Sequence, residues 1–304
     1  MLGVRPEIEQ VVELIQKNDS QSLDEALALL QNTIFSFSMK VCGQRQDAED
    51  TMQEVLLQSL PKLPKFDSPR ALMVWLYKVA KTRCLMSRRK SKFAPRHALS
   101  LEELMPDKKE LARFSDTPAE TPETSLLRRE NAKRLRGAVQ KLPPDYRLVL
   151  VLRDMEELSD DDVAEITGLK PGTVRVRLHR ARLFVRKELE KHALGRTAHK
   201  LSSPAAAGPA KPRERRCKEM FAELSNYLDD ELDASLCEEL EKHMRGCEPC
   251  KAFLVSLDRA IQQCRTAANE SPDPQITAGL RRALLSEYQS ALSKASHSPN
   301  HPQN

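Results

Sequence analysis

The stretch from Leu158 to Arg182 constrains the fold more than any other part of this 304-residue chain. Ser159 is a residue type that caps helix N-termini, and the three aspartates after it carry negative charge suited to a first helical turn. Gly168 predicts the end of this short helix, and Pro171 predicts the start of a second one at a position where proline is tolerated. This spacing predicts a helix-turn-helix, in which the second helix crosses the first.

The second predicted helix combines an apolar stripe with a basic surface. Val174, Leu178 and Ala181 recur at helical spacing and predict its buried side. The rest is rich in Thr and Arg near the N-terminus, which is typical of a helix that enters the major groove of DNA. A solvated basic helix is the alternative, but the capped helix and defined turn before it favour DNA binding. We interpret His179 as a phosphate-binding or packing residue rather than a metal ligand.

Composition favours an all-α fold in several parts. Aromatic residues make up 4% of the chain and there are only nine glycines, which disfavours a β-sandwich or barrel. Proline-dotted or small-residue stretches without helical periodicity separate three patterned blocks. The expected organisation is a helical domain at 7–92, a linker at 93–125, a helix-turn-helix domain at 126–192, a flexible tether at 193–214, a metal-binding domain at 215–265 and an amphipathic helix at 274–294.

Charge is distributed unevenly along the chain. Lys and Arg total 49 against 44 Asp and Glu, a net charge of only +5. The segments Lys78–Lys92 and Arg175–Lys187 are strongly basic, whereas Glu219–Glu241 is mostly acidic. This pattern predicts two surfaces that face nucleic acid and one module of another kind. No apolar run approaches the ~20 residues that span a bilayer, and no signal peptide is evident, so we expect a cytoplasmic protein without a membrane partner.

A set of motifs around the predicted helix-turn-helix is specific enough to suggest a family. It comprises Leu142-Pro143, Tyr146-Arg147, Leu158-Ser159, Glu165-Ile166, Gly172–Arg175 and Arg177–Arg182. The set resembles region 4 of the extracytoplasmic-function sigma factors, which binds the upstream (−35) promoter element and the flap of RNA polymerase. The resemblance implies DNA-reading roles for Thr173, Arg175, Val176, Arg177 and Arg180.

The first block resembles region 2 of the same family. The pattern from Asp47 to Val55 is similar to the helix that binds the clamp helices of core RNA polymerase, which implies polymerase-binding roles for Asp47, Asp50, Gln53 and Glu54. The stretch from Phe66 to Lys90 resembles the loop and helix that open the −10 element of promoter DNA. It implies DNA-binding roles for Tyr77, Lys78, Lys81, Arg83 and Arg88. Leu72, Trp75, Leu76 and Val79 recur at helical spacing, so we interpret Trp75 as a core residue. Tyr77 and the loop at 65–70 are candidates for base contact.

A cluster of metal-ligand residues lies near the C-terminus. His243, Cys247 and Cys250 follow a His-x3-Cys-x2-Cys spacing, which can bring three ligands onto one Zn²⁺ ion. A closed structural site needs a fourth ligand, and both Cys217 and Cys237 are candidates. The segment resembles the zinc-binding anti-sigma domains, whose first cysteine has the position of Cys217. No open coordination position or general base is evident, so we expect a structural or regulatory zinc ion. Cys42, Cys84 and Cys264 lie outside the cluster, and in a reducing compartment we expect them to be reduced thiols that pack as small hydrophobic residues.

The sequence leaves two questions open. The apolar residues at every fourth position from Ile276 to Leu292 predict a helix that packs either on the metal-binding domain or on a sigma domain of the same chain. The main hypothesis is a sigma factor regulated in cis by its C-terminal domain. A helix-turn-helix regulator that never joins the polymerase is the alternative, and the Asp47–Val55 motif argues against it. An enzyme is disfavoured, because we find neither a phosphate-binding glycine loop nor a catalytic triad.

Overall fold

The computed structural model describes residues 4–89, 99–105, 125–194, 220–221 and 223–296. Every regular element within these ranges is helical, which confirms the predicted all-α fold. No helix in them is long and apolar enough to cross a membrane. The chain forms two compact units: one contains residues 1–94, 161–168 and 269–304, and the other contains residues 95–160 and 169–268.

The first unit is assembled around one long helix. Its elements are α1 (Pro6–Gln16), α2 (Ser20–Cys42), α3 (Arg45–Ser59), a 3₁₀ turn (Leu63–Lys65) and α4 (Pro69–Arg89). The Asp19 carboxylate caps α2 by accepting the Ser22 backbone N–H at 2.9 Å. Gly43 ends α2 in the left-handed conformation, with φ of 80°. Because α2 contacts α1, α3 and α4, its side chains are buried around most of its circumference.

The core between α2 and α4 contains a disulfide bond. Cys42 of α2 is bonded to Cys84 of α4, and both are buried. From the sequence we expected reduced, packed thiols here, because a reducing compartment disfavours disulfides. The two helices bring the cysteines to a Cα–Cα separation of 5.2 Å, within the range that a disulfide requires.

The Cys42–Cys84 bond gives a first testable prediction. It closes a loop with a sequence separation of 42 residues, which in the loop-entropy model corresponds to about 4 kcal/mol of stabilisation. The double substitution C42A/C84A should therefore lower the free energy of unfolding by about 2–4 kcal/mol without reductant. Dithiothreitol should bring the unsubstituted protein close to the same value. Thiol titration of the unfolded, metal-free protein should find five thiols (seven cysteines minus the two bonded); seven would contradict the bond.

The C-terminal helix α12 (Pro274–Ser296) belongs to the first unit and packs on α2. The buried Gln31 amide donates to the Thr277 carbonyl at 3.1 Å, and the Arg281 guanidinium bonds to Asp24 and Gln31 at 3.0 Å each. Leu284 is buried, whereas Ile276 is exposed. Of the two predicted packing partners for this helix, the structure thus favours the first helical block, which resembles a sigma domain, over the metal-binding domain. The buried face of the helix combines polar and apolar residues.

The second unit joins most of the predicted helix-turn-helix domain to the metal-binding segment (residues 215–265). Its elements are α5 (Leu101–Leu104), α6 (Ser125–Lys141), α7 (Pro144–Leu150), a π-helical turn (Val151–Met155), α9 (Pro171–Leu194), α10 (Ala234–Arg245) and α11 (Glu248–Arg265). Helix α8 (Asp160–Thr167) lies mainly in the first unit. Pro171 and Gly168 stand where the sequence predicted the start of α9 and the end of α8.

One hydrophobic cluster serves both parts of the second unit. Leu183 of α9 packs with Phe221, Phe253 and Leu257 of the metal-binding segment, and the α5 residue Leu104 belongs to the same cluster. From composition we expected a separate module on a flexible tether. The first two residues of the predicted tether, 193–194, belong to α9, and the rest of it lies outside the described residues. The shared core makes the described part of the metal-binding segment a packing partner of α9.

Candidate DNA-binding and metal-binding sites

The predicted DNA-reading positions on α9 are all at least partly accessible. They are Thr173, Arg175, Val176, Arg177 and Arg180. Val176 is an apolar side chain with 51% exposure, which is available for contact with a base or a methyl group. The Arg177 guanidinium lies 6.0 Å from the ring centroid of Tyr146 and 3.8 Å from the Asp145 carboxylate. These contacts position Arg177 while leaving part of it open to solvent.

The turn at residues 229–231 of the metal-binding segment is acidic, and its carboxylates pair with arginines of the second unit. The Glu231 carboxylate accepts a hydrogen bond from the buried Arg153 at 3.3 Å and lies 3.8 Å from Arg175. Arg175 is also 3.3 Å from Asp160. Burial and the neighbouring Asp160 carboxylate raise the pKa of Glu231, against the opposing effect of Arg153. An arginine predicted to contact DNA is therefore already paired with carboxylates.

A second carboxylate of the same turn is buried against α9. Arg182, whose side chain is fully buried, bonds to Asp154 at 2.8 Å and to Asp229 at 2.6 Å. Arg265 of α11 bonds to Asp229 at 3.2 Å. Burial by itself would lower the pKa of Arg182, but the two carboxylates raise it above its ordinary value. A buried ion-pair network thus joins the metal-binding segment to α9.

His179 is a packing residue in this structure rather than a phosphate ligand. It is 7% exposed, its Nδ1 lies 2.8 Å from the Ser225 hydroxyl, and its Nε2 has no hydrogen-bond partner among the described residues. Burial, together with the cationic Arg182 and Arg180, lowers the pKa of His179 to about 4. The packed arrangement therefore holds the ring neutral.

This depressed pKa predicts acid sensitivity of the second unit. An exposed histidine takes up a proton near pH 6.5, whereas His179 in the folded unit does so only near pH 4. The unfolded state binds the proton first, so the free energy of unfolding should fall as the pH decreases from about 6.5 toward 4. Thermal melts between pH 7.5 and 5 should show a smaller loss for H179Q than for the unsubstituted protein. Parallel pH dependence in the two proteins would contradict this assignment.

The basic surface of α4 carries the cations predicted to bind the −10 element. Lys78 and Lys81 are partly accessible, and Arg83 is exposed. Burial lowers the pKa of Lys81, and the nearby Lys78 adds to the effect. Arg88 lies within α4, but its side chain is outside the described set. Lys78 and Lys81 are thus on an accessible side of α4, where both already have hydrogen-bond partners in α8.

The structure corrects the prediction for Tyr77 and the interpretation of Trp75. Tyr77 is 3% exposed and packs against Phe37 of α2, with ring centroids 4.7 Å apart, so it is a core residue. Trp75 is only half-buried, beside Phe66 at 5.8 Å and below the Lys62 ammonium at 4.6 Å. The face of α4 that packs on α2 is rotated relative to the stripe chosen from periodicity. Phe66 belongs to the loop at 65–70 that is predicted to contact bases, and it is partly exposed; the half-buried Trp75 beside it is a second aromatic side chain near that loop, which periodicity assigned to the core.

The predicted polymerase-binding residues lie on α3. Asp50 is exposed, and Asp47, Gln53 and Glu54 are partly exposed. Glu54 forms a salt bridge with Arg83 of α4, so the structure brings a predicted polymerase contact next to a predicted DNA contact. Leu57, with 48% exposure, adds an apolar side chain to this helix that the sequence pattern did not indicate.

The structure brings three of the predicted metal ligands together. The ligand atoms of His243, Cys247 and Cys250 all lie within 4.8 Å of one another, where α10 ends and α11 begins. Both cysteines are buried, and their sulfur atoms are 3.3 Å apart. Two thiols and one imidazole form a donor set that suits Zn²⁺. Cys237 is outside this group, and its thiol is 3.9 Å from the Leu232 carbonyl. Cys217 lies outside the described residues.

Comparison with known proteins identifies both halves of the N-terminal part. The model of "Sigma-70 region 2" matches residues 27–93, and that of "Sigma-70, region 4" matches residues 132–185. The ECF RNA polymerase sigma factor SigW of Bacillus subtilis is 28% identical over 184 residues, which cover 60% of this chain and 96% of that protein. The two sigma-70 regions, in this order and with relatives of this kind, support an extracytoplasmic-function sigma factor. The RNA polymerase sigma-H factor of Pseudomonas aeruginosa is also 28% identical, over 190 residues that cover 60% of this chain and 93% of that protein.

Two further comparisons concern the C-terminal extension of this chain and its likeness to a solved structure. A putative zinc-finger model matches residues 217–251, so the match begins at Cys217 and includes the His243, Cys247 and Cys250 cluster. A solved structure of the sigma factor RpoE in complex with the anti-sigma factor NepR from Bartonella quintana is similar at 20% identity. It covers 56% of this chain and 98% of that chain, with a TM-score of 0.40.

Proposed function

We propose that this protein binds core RNA polymerase and directs initiation at specific promoters. The observation that carries the proposal is the occurrence of both sigma regions in one chain, in the family's order. In this proposal α3 binds the polymerase clamp through Asp47, Asp50, Gln53 and Glu54. The basic surface of α4, with Lys78, Lys81, Arg83 and Arg88, meets the −10 element, and the N-terminal half of α9 reads the −35 element.

The proposal includes inhibition in cis by the C-terminal extension. The metal-binding segment shares a hydrophobic core with α9 and pairs Glu231 with Arg175. Helix α12 packs on α2 through the hydrogen bonds of Gln31 and Arg281. One extension therefore contacts both sigma regions, and its acidic turn competes with DNA phosphates for a predicted reading residue. Release of the extension is the expected route to activity.

We also propose that His243, Cys247, Cys250 and Cys217 bind one Zn²⁺ ion. The convergence of three ligand atoms and the start of the zinc-finger match at Cys217 support this set. A closed site of this type has a structural role, because it cross-links elements that share only a small core. Here the three described ligands would fix the end of α10 to the start of α11. Those helices carry Leu240 and Phe253, which pack in the cluster shared with α9.

Removal of the extension tests the sigma function and the inhibition in cis. A chain that ends at Arg196 should bind core RNA polymerase about tenfold more tightly than the full chain, because the extension packs on α9 of region 4, the region for which the family resemblance also implies a contact with the polymerase flap. Native gel shift with bacterial core polymerase measures this, and run-off transcription from genomic fragments retained by the shortened form tests initiation. Circular dichroism checks that the shortened chain is folded. Equal core binding by both forms would contradict inhibition, and no core binding by either would contradict the sigma function.

A further inference from the structure

The basic surface of α4 is occupied by helix α8 within the first unit. The Arg70 guanidinium, in the first turn of α4, bonds to Asp162 at 2.7 Å and to Glu165 at 2.9 Å. The Lys78 ammonium bonds to the other oxygen of Glu165 at 3.0 Å. The Lys81 ammonium donates to the backbone carbonyl of Ile166 at 2.6 Å. Three cations of α4 therefore face two carboxylates and one carbonyl of α8.

The chemistry of this contact resembles that between a basic helix and a phosphate backbone. Lys78 and Lys81 follow Arg70 by eight and eleven residues, a spacing that places all three on one side of the helix. The acceptors on α8 supply negative charge along that side, as successive phosphates do. Hydrogen bonds from Lys78 and Arg70 lower the pKa of Glu165 below its ordinary value, so its carboxylate is ionised at neutral pH. Glu165 accepts from both cations at once.

We propose that the acidic face of α8, formed by Asp162 and Glu165, is an internal ligand of region 2 that promoter DNA must displace from α4. The inference deepens the proposed function and rests on it, because α4 must be a DNA-binding helix for the competition to exist. It is separate from inhibition by the C-terminal extension, since both carboxylates belong to the predicted helix-turn-helix. In this proposal, the surface of region 2 that binds the −10 element is covered by a helix of region 4.

The ion pairs between α4 and α8 are weak enough for DNA to replace them. Arg70 and Glu165 are both largely exposed, and ion pairs between exposed groups are individually weak and screened by salt. A DNA strand offers many phosphates, and it can therefore replace such a contact. The same reasoning predicts that the competition is strongest at low ionic strength.

The test compares two full-length double variants with equal changes in net charge. D162N/E165Q removes both carboxylates that contact α4. D161N/E157Q is the matched control, because Asp161 and Glu157 are exposed and near the same helix. Binding of a fluorescent single-stranded 12-nucleotide DNA of mixed sequence is measured by anisotropy at low and high salt. Acylation of the Lys78 amine is measured by mass spectrometry, relative to the exposed Lys133, as a readout that does not depend on DNA.

The expected result is faster acylation of Lys78 in D162N/E165Q and DNA binding about threefold to tenfold tighter than in the control, a difference that narrows as salt rises. Equal acylation of Lys78 in the two variants would mean that the contact is not formed, and would overturn the inference. Faster acylation of Lys78 in D162N/E165Q, with DNA affinity equal to that of the control, would mean that the contact forms but does not compete with DNA. That result would also overturn the inference. Absence of DNA binding by every form would instead reject the DNA-binding role of α4, and the competition with it.

Discussion

Neutralising the Asp229 carboxylate should release the metal-binding segment from α9 and raise binding to core RNA polymerase by about tenfold or more. The Asp229 side chain is 4% exposed and pairs with Arg182 and Arg265. Removing one partner of a buried ion pair costs about 3–5 kcal/mol, because a charge is left without compensation. In D229N the Arg182 charge is still paired with Asp154, so the expected effect is reduced from that range.

The adjacent residue provides a matched control for this prediction. Asp230 is exposed and has a φ of 56°, a conformation that asparagine tolerates well. D230N therefore makes the same chemical change one residue away without touching the buried network. Titration of labelled core polymerase with the two variants measures the difference. Equal affinity of D229N and D230N would show that the buried network does not hold the extension in its inhibitory position.

Loss of the metal should unfold the metal-binding segment, which is the second large effect. Structural Zn²⁺ contributes about 10–16 kcal/mol in small domains that depend on it. C247S removes a buried ligand atom at the N-terminus of α11. We expect it to lower the zinc content from about one ion per chain to nearly none, and to make the segment sensitive to proteases. Zinc is measured by colorimetric release, and cleavage is mapped by mass spectrometry.

Cysteine variants outside the cluster separate the two candidate ligand sets. C237S should keep a full complement of zinc, because the Cys237 thiol lies outside the group of three ligand atoms. C217S should lose most of it, if Cys217 is the fourth ligand as we propose. Loss of zinc in C237S with retention in C217S would reverse this assignment. Full zinc content in C247S would reject the site itself.

Local patterns in the sequence predicted the features that depend on near neighbours. The turn between α8 and α9 follows from Gly168 and Pro171, which restrict the backbone wherever they occur. The spacing of Cys247 and Cys250 brings two thiols together within one turn at the start of a helix. In both cases the residues that interact are separated by only a few positions, so periodicity and residue type are sufficient.

The same local reasoning could not predict which surface packs against each helical face. Periodicity placed Trp75 in the core, but the packing of α4 on α2 buries Tyr77 in its place, against Phe37. His179 and Arg182 resemble the accessible cations of α9 in sequence, yet both are buried. A helical pattern indicates that some side must be covered, and it does not say which surface covers it.

The sequence alone thus predicted the helical fold, the two sigma regions, their order and three clustered residues that could hold a metal ion. Tertiary structure decided which charges meet: Arg182 with Asp229 across 47 positions, and Lys78 with Glu165 across 87. It also decided that α12 lies on α2, through contacts such as that of Arg281 with Asp24. The physical reason is that long-range pairing depends on the three-dimensional placement of whole helices, whereas capping, turn formation and ligand spacing act over a few residues of one chain segment.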